Sequence, residues 1–459
     1  MTIQPSTRPA AEVVADWLVR LDGARVPARV EDTVRRLVVD VAGLCVAARR
    51  EPYIGATLAA VDRGGPCTAI GHAGGFDAFG AALVNGTAAH GEDYDDTFEG
   101  GPVHAGAVVV PAVLAVAERE GLSGERVLAG IAAGVELMCR LSLVAPTGAH
   151  RAGFHPTAVF GALAAAGAVG AALRLPAQAL VSALGIAGSM ASGIIEYLAE
   201  GTWTKRMHAG WAAQSGIRAA LMARGGFEGP RTVLDGTHGF YKAFAPSIPA
   251  NFHHLLHELG ERWVTQDLAF KPYACGTMAQ PFIDCAIALA RGGTQAADIV
   301  DVECRVGEGT VHRLWEPLAS KQTPPTSYAA KFSTPYCMAV AFFDGRAGFA
   351  QFTEARIHDP AVLALAAKIR YVVDPADEYP RNFSGHLRAT MRDGTTRDYR
   401  QPHMRGGARE PLTDEEVRAK FLDNVVHGGW NAGDAPRLLR TAELLLDGAR
   451  TPSLEEFRA

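Results

Sequence analysis

The chain has little that would tie it to nucleic acid, to a disulfide framework or to a bound phosphate. It carries no Lys/Arg patch with interleaved aromatics, and its formal net charge of −5 argues against nucleic acid or an anionic membrane as main partner. Zinc-finger spacing and a glycine-rich phosphate loop are both missing. The 7 cysteines, at positions 45, 67, 139, 275, 285, 304 and 337, are scattered, odd in number and never spaced Cys-x-x-Cys. That pattern predicts reduced thiols and a cytoplasmic protein. The N-terminus, Met1-Thr-Ile-Gln-Pro-Ser6, lacks the basic start and apolar run of a signal peptide. There are no internal repeats and no low-complexity tracts. Residues 157–173 are uncharged, but Ala and Gly dominate them and Arg174 closes them, which predicts a tightly packed buried helix and no membrane span.

What is present is an ordinary globular composition, 48% hydrophobic and 20% charged, in a chain of 459 residues, too long for one simple core. Residues 14–21, 30–48, 108–120, 127–143, 157–173, 177–198 and 204–224 have helical length and content, the last ended by Gly225-Gly226. Their many small residues allow close helix approach. Near residue 265 the texture changes. Val300, Val302, Cys304 and Val306 alternate with polar residues, as do Leu387, Ala389 and Met391, and Asp393-Gly394 signals a hairpin. Helical segments at 336–343 and 361–369 lie between. A capping box at Thr413-Asp-Glu-Glu416 opens a further helix, and Pro436 starts another. The fold expected is mainly α: a large all-α domain over 1–265 and 406–459, and a smaller α+β domain over 266–405.

The densest chemistry lies at Asn85-Gly-Thr-Ala-Ala-His90-Gly-Glu-Asp93-Tyr94-Asp95-Asp96-Thr97, followed by Gly100-Gly101-Pro102-Val103-His104. On a continuous helix, His90, Asp93, Tyr94 and Thr97 would share one face, and the Gly-Gly-Pro break would fold His104 back over it. Taken singly, Asp95 and Asp96 read as solvated carboxylates and Asp93 as a turn cap. Gathered with histidines between apolar segments, the group suits proton transfer and is costly to bury idle.

His155, in Gly153-Phe-His-Pro156-Thr157, sits at the edge of a helix whose positive end lowers a histidine's pKa and favours an anion. Lys205, in Thr204-Lys-Arg-Met-His208, opens another helix, and Lys271-Pro-Tyr-Ala-Cys275-Gly276 lies at the proposed domain boundary. Phe332-Ser333-Thr-Pro-Tyr336 adds hydroxyls. Two lysines, several histidines and one or two acids, with no clear metal motif, suit a small polycarboxylate whose α-proton is removed.

These motifs, in this order, resemble the MmgE/PrpD family over nearly the whole chain. The resemblance implies an active site in the cleft between a large helical and a smaller α+β domain, in a homodimer with neither metal nor organic cofactor. It carries active-site positions onto Asp93, Thr97, His104, His155, Lys205 and Lys271, with His90, Tyr336, Cys275 and Gly276 as further substrate-binding candidates. Two departures stand out. His104 is followed by Ala105-Gly106 where relatives have Pro-Ser, after a Gly100-Gly101 loop one residue longer. Gly276 stands near a position where several relatives carry histidine.

The leading expectation is a hydro-lyase of the 2-methylcitrate dehydratase type. Asp93 or His155 would be base, His104 acid, Lys205 and Lys271 carboxylate clamps, and Thr97 an orienting hydroxyl. Decarboxylation of a cis-aconitate-like acid and epimerisation of an iminodisuccinate-like acid need the same anion stabilisation. Two other classes are a Mg²⁺-dependent isoprenoid enzyme, from Asp93-x-Asp95-Asp96 in an α-helical context, and an inactive binding homologue.

Overall fold

The structure, a computed structural model, describes residues 8–379, 381–449 and 453–459; the N-terminal sequence read above for a signal peptide lies outside the described residues. The chain is mainly α-helical and divides into two compact units. The first contains the described residues through Gly91, Asp95–Leu268 and Asp414 onward; the second contains Glu92–Tyr94 and Ala269–Thr413.

In the first unit, helices Ala78–His90, Gly106–Glu120, Gly124–Val144, Pro156–Ala172 and Thr204–Arg224 form the centre. Every residue from Pro156 to Ala172 is buried, so the uncharged run is a core helix. Gly124–Val144 is long and apolar enough to cross a membrane, yet 94% of its apolar window is buried within the fold. Small residues set the helix spacing. A Cβ on Gly86 would lie 2.6 Å from Gly210 Cα, so Ala78–His90 and Thr204–Arg224 meet backbone to backbone. Arg140 and Glu136, one turn apart and both buried, fasten the segment beyond residue 254. Arg140 donates to the His257 and Arg262 carbonyls (2.9 and 2.6 Å), and Glu136 accepts from the Val264 and Thr265 amides (3.2 and 3.0 Å). The late helix Asp414–His427 returns to pack on Ala28–Ala48, where Lys420 pairs with Asp40 at 2.7 Å.

Two expected helices are shorter than their composition suggests. The segment expected as one helix over 177–198 breaks after Met190; Ala191 turns extended, Gly193 takes φ 118, and a short helix Tyr197–Glu200 follows. The stretch from Asn85 to Thr97 is not one helix either. It ends at His90, and Asp93 adopts φ 56.

The second unit holds a four-stranded sheet. Ile369–Val373 pairs parallel with Ile299–Val306, which pairs antiparallel with Gly385–Met391, and that strand with Thr396–Gln401. The alternating apolar residues Val302, Cys304, Leu387 and Ala389 are buried. The hairpin turns at Asp393-Gly394, where Gly394 takes φ 84 and Asp393 Oδ1 accepts the Thr395 amide at 2.9 Å. Helix Gln280–Arg291 covers the sheet and packs on Thr334–Asp344. The helix expected over 361–369 stops at Ala366, and its last residue begins a strand.

Candidate active site

Four helix ends in the first unit bring four histidines into a file. His90 closes Ala78–His90, His104 precedes Gly106–Glu120, His155 caps Pro156–Ala172, and His208 lies in the first turn and a half of Thr204–Arg224. Ring centroids are 4.9 Å apart for His104 and His90, 5.4 Å for His90 and His155 (stacked), and 5.3 Å for His155 and His208. Tyr197 stands edge-on to the last two.

Oxygen partners fix two of these rings. His90 Nδ1 lies 2.7 Å from Asp95 Oδ2, and His104 Nδ1 lies 2.6 Å from the Asp96 carbonyl and 3.5 Å from Asp95 Oδ1. A carbonyl and a carboxylate only accept, so both histidines carry hydrogen on Nδ1. His90 Nε2 is buried with no hydrogen-bond partner among the described residues. Asp96 turns its own Oδ1 to the Gly106 amide at 3.0 Å, and the His104 amide donates to Thr157 Oγ1 at 3.2 Å. Gly106 is required there, since a Cβ would strike Asp96 Oδ1 and Leu37.

At the other end of the file, His155 Nδ1 lies 3.1 Å from His208 Nδ1. One nitrogen donates and the other accepts, so the two tautomers are linked. Burial, followed by His90, His208 and Lys205, holds the His155 pKa well below the usual histidine value. Burial, His90 and Lys205 likewise push His208 down to about 4. Both rings are therefore neutral near pH 7. The break after Met190 matters here: the His155 amide donates to the Gly193 carbonyl (2.9 Å) and the Ile195 amide to the Gly153 carbonyl (3.0 Å). Lys205 opens its helix and is 8% exposed. Thr97 follows in a two-residue extended stretch and is buried.

In the second unit, Lys271 is 1% exposed and its Nζ donates to the Asp93 carbonyl at 2.9 Å. Asp93 Oδ2 accepts from the Tyr328 hydroxyl at 2.9 Å. Lys331 donates to the Glu92 carbonyl (3.0 Å) and pairs with its carboxylate.

Three further sequence-selected residues, all in the second unit, stand outside the contacts just described. Tyr336 is wholly buried and its hydroxyl donates to the Gln351 carbonyl at 2.6 Å. Cys275 is also fully buried, facing Cys337. Gly276 donates its amide to the Lys331 carbonyl, and a Cβ there would sit 3.2 Å from Leu314 and 3.5 Å from Phe332. Leu314 would have to yield before a larger side chain fitted.

Asp95 and Asp96 are 0% exposed, which corrects their reading as solvated carboxylates. Of the aspartate-rich run, Asp93 engages Tyr328, Asp95 engages His90, and Asp96 engages the Gly106 amide. His90, Asp95 and His104 hold three possible metal-ligand atoms, one from each, within 4.8 Å of one another. Sequence reasoning passed over Asp95, Asp96, His208 and Tyr328 as site residues. His208 had a usable signal, since i and i+3 spacing puts it on the face of Lys205. Tyr328, in the short helix Ser327–Ala330, had none.

Comparison with known proteins bears on the whole chain. Residues 12–253 match the MmgE/PrpD N-terminal domain and residues 273–431 the MmgE/PrpD C-terminal domain. Cis-aconitate decarboxylase of Aspergillus terreus is 27% identical over 438 residues, covering 89% of this chain and 87% of that protein. The Homo sapiens cis-aconitate decarboxylase is 29% identical over 364 residues, covering 75% and 72%. The 2-methylcitrate dehydratase of Cupriavidus necator is 30% identical over 230 residues, 46% of each chain.

Proposed function

This chain belongs to the MmgE/PrpD family, and from that premise we propose that it is a lyase acting on a small di- or tricarboxylate through a carbanion beside a carboxylate. The observation that carries the reading is the buried file His104, His90, His155 and His208 with Lys205 at its side. The neutral His155 and His208 rings can give or take a proton without first losing a charge. Lys205 and the positive ends of Pro156–Ala172 and Thr204–Arg224 favour an anionic ligand and the enediolate-like charge that builds when the bond breaks. Asp93 and Lys271 keep the base and carboxylate-binding roles expected of them.

Two reactions use such a site. Loss of CO₂ from an unsaturated tricarboxylate leaves an electron pair on carbon, which the neighbouring carboxylate delocalises until a proton arrives. Dehydration instead draws off an α-proton and expels a β-hydroxyl as water. Likeness to decarboxylases spans 89% and 75% of the chain, against 46% for the dehydratase, and favours decarboxylation of a cis-aconitate-like acid. Dehydration of a 2-methylcitrate-like acid, the leading expectation from the sequence, becomes the second reading. The test is incubation with cis-aconitate, 2-methylcitrate and iminodisuccinate in D₂O, followed by proton NMR. A new decarboxylated product from cis-aconitate is expected. Neither turnover nor solvent deuterium uptake with any of the three would overturn the lyase reading.

A further inference from the structure

Asp93 is held in an unusual way. Its φ of 56 lies in the left-handed region that residues other than glycine seldom occupy, and such a conformation persists only where the surroundings enforce it. The enforcement is visible on three consecutive residues. Lys331 donates to the Glu92 carbonyl, Lys271 Nζ donates to the Asp93 carbonyl, and the Tyr94 hydroxyl donates to the Pro272 carbonyl at 3.0 Å. The Tyr94 ring stands edge-on to Phe349 at 5.3 Å. The backbone on both sides of Asp93 is thus pinned within the second unit, and the side chain has its own tether, the Tyr328 hydroxyl 2.9 Å from Oδ2.

We propose that Tyr328 is a positioning residue for Asp93: its hydroxyl holds the carboxylate in one rotamer, while Lys271 and Lys331 hold the strained backbone that aims it. The proposal rests on the reading of Asp93 as a reacting group. A carboxylate turns about two side-chain torsions, and the Tyr328 bond at Oδ2 fixes both. The Tyr328 ring packs edge-on against Phe332 at 5.3 Å, a contact that a phenylalanine preserves. Ring packing and hydrogen bond can therefore be separated.

The test compares the wild type, Tyr328→Phe, Asp93→Asn and the double variant on whichever polycarboxylate the wild type turns over. Tyr328→Phe is expected to lower kcat about 10- to 100-fold, as loss of a hydrogen bond to a charged group does, with KM changed less than about twofold. In the Asp93→Asn background the same change should alter the residual rate by less than about twofold. Tyr328→Met, which also lacks the hydroxyl, should show the same kcat loss and guards against a folding failure of the first variant. Wild-type kcat in Tyr328→Phe, or an equal loss with and without the Asp93 carboxylate, overturns the assignment while leaving the lyase reading intact. A wild type inert toward every polycarboxylate overturns that reading, and this one with it.

Discussion

Asp95 Oδ2 accepts the His90 Nδ1 hydrogen bond at 2.7 Å and fixes that ring, while His104 gives its Nδ1 hydrogen to the Asp96 carbonyl at 2.6 Å. The His90–Asp95 bond lies in a fully buried spot, where an unpaired charge would be expensive, so the group is retained for what it orients. Asp95→Asn keeps the size and removes the charge. With its oxygen toward His90 the amide is a weaker, uncharged acceptor, and with its NH₂ there it sets a donor against a donor. A fall in kcat of about 100-fold or more is expected, by analogy with other carboxylates that fix the tautomer of a working histidine. Steady-state kinetics beside a thermal melt decides it: an active, normally folded Asp95→Asn would show that the His90 ring needs no such anchor. None of this could be read along the chain. Asp93-Tyr-Asp-Asp96 looks like a polar run, and its burial is set by His104 and the Gly106 amide. His155, Lys205 and Lys271 were legible because each opens a helix or follows an apolar stretch at a marked change of texture.

At the scale of elements, what was legible followed from local signals. Thr204–Arg224 begins and ends where its sequence indicates, because Gly226 takes φ 93 just beyond it, and the hairpin turns where Asp393-Gly394 predicts. The break after Met190 had no such signal, since Ala-Ser-Gly-Ile-Ile continues the apolar texture. It is imposed by pairing with the chain around His155. Gly193 is the point where this pairing is most exposed to test: φ is 118, and a Cβ would lie 2.5 Å from Ala158 Cβ. Gly193→Ala therefore carries both backbone strain and a clash. A loss of about 1–3 kcal/mol from the strain alone is expected in urea unfolding. Because the Gly193 carbonyl receives the His155 amide, kcat should fall as well. A variant with unchanged midpoint and rate would mean that the segment relaxes freely and does not position His155.

For the molecule as a whole, the buried neutral histidines make stability depend on pH in a definite direction. His208 has a pKa of about 4 in the folded protein, against an ordinary 6.5, and burial pushes His72 down to about 4 too. Between roughly those values the unfolded chain binds protons that the folded chain refuses, so stability is fully present above 6.5 and is lost as pH falls toward 4. For His208 alone the loss is about 2 kcal/mol at pH 5. Burial raises the pKa of Glu118, Asp267 and Asp284, which acts in the opposite direction because these carboxyls hold their protons more firmly when folded. The raw pH profile therefore mixes both signs, and the histidine contribution is isolated by difference. Urea midpoints of the wild type and His208→Asn at pH 7.5 and 5.0 give that difference. The asparagine variant starts less stable, since it loses the partner of His155, but should lose about 2 kcal/mol less than the wild type on acidification. Parallel losses in the two proteins would place the His208 proton affinity near its ordinary value and remove the basis for treating the His155–His208 pair as neutral at work.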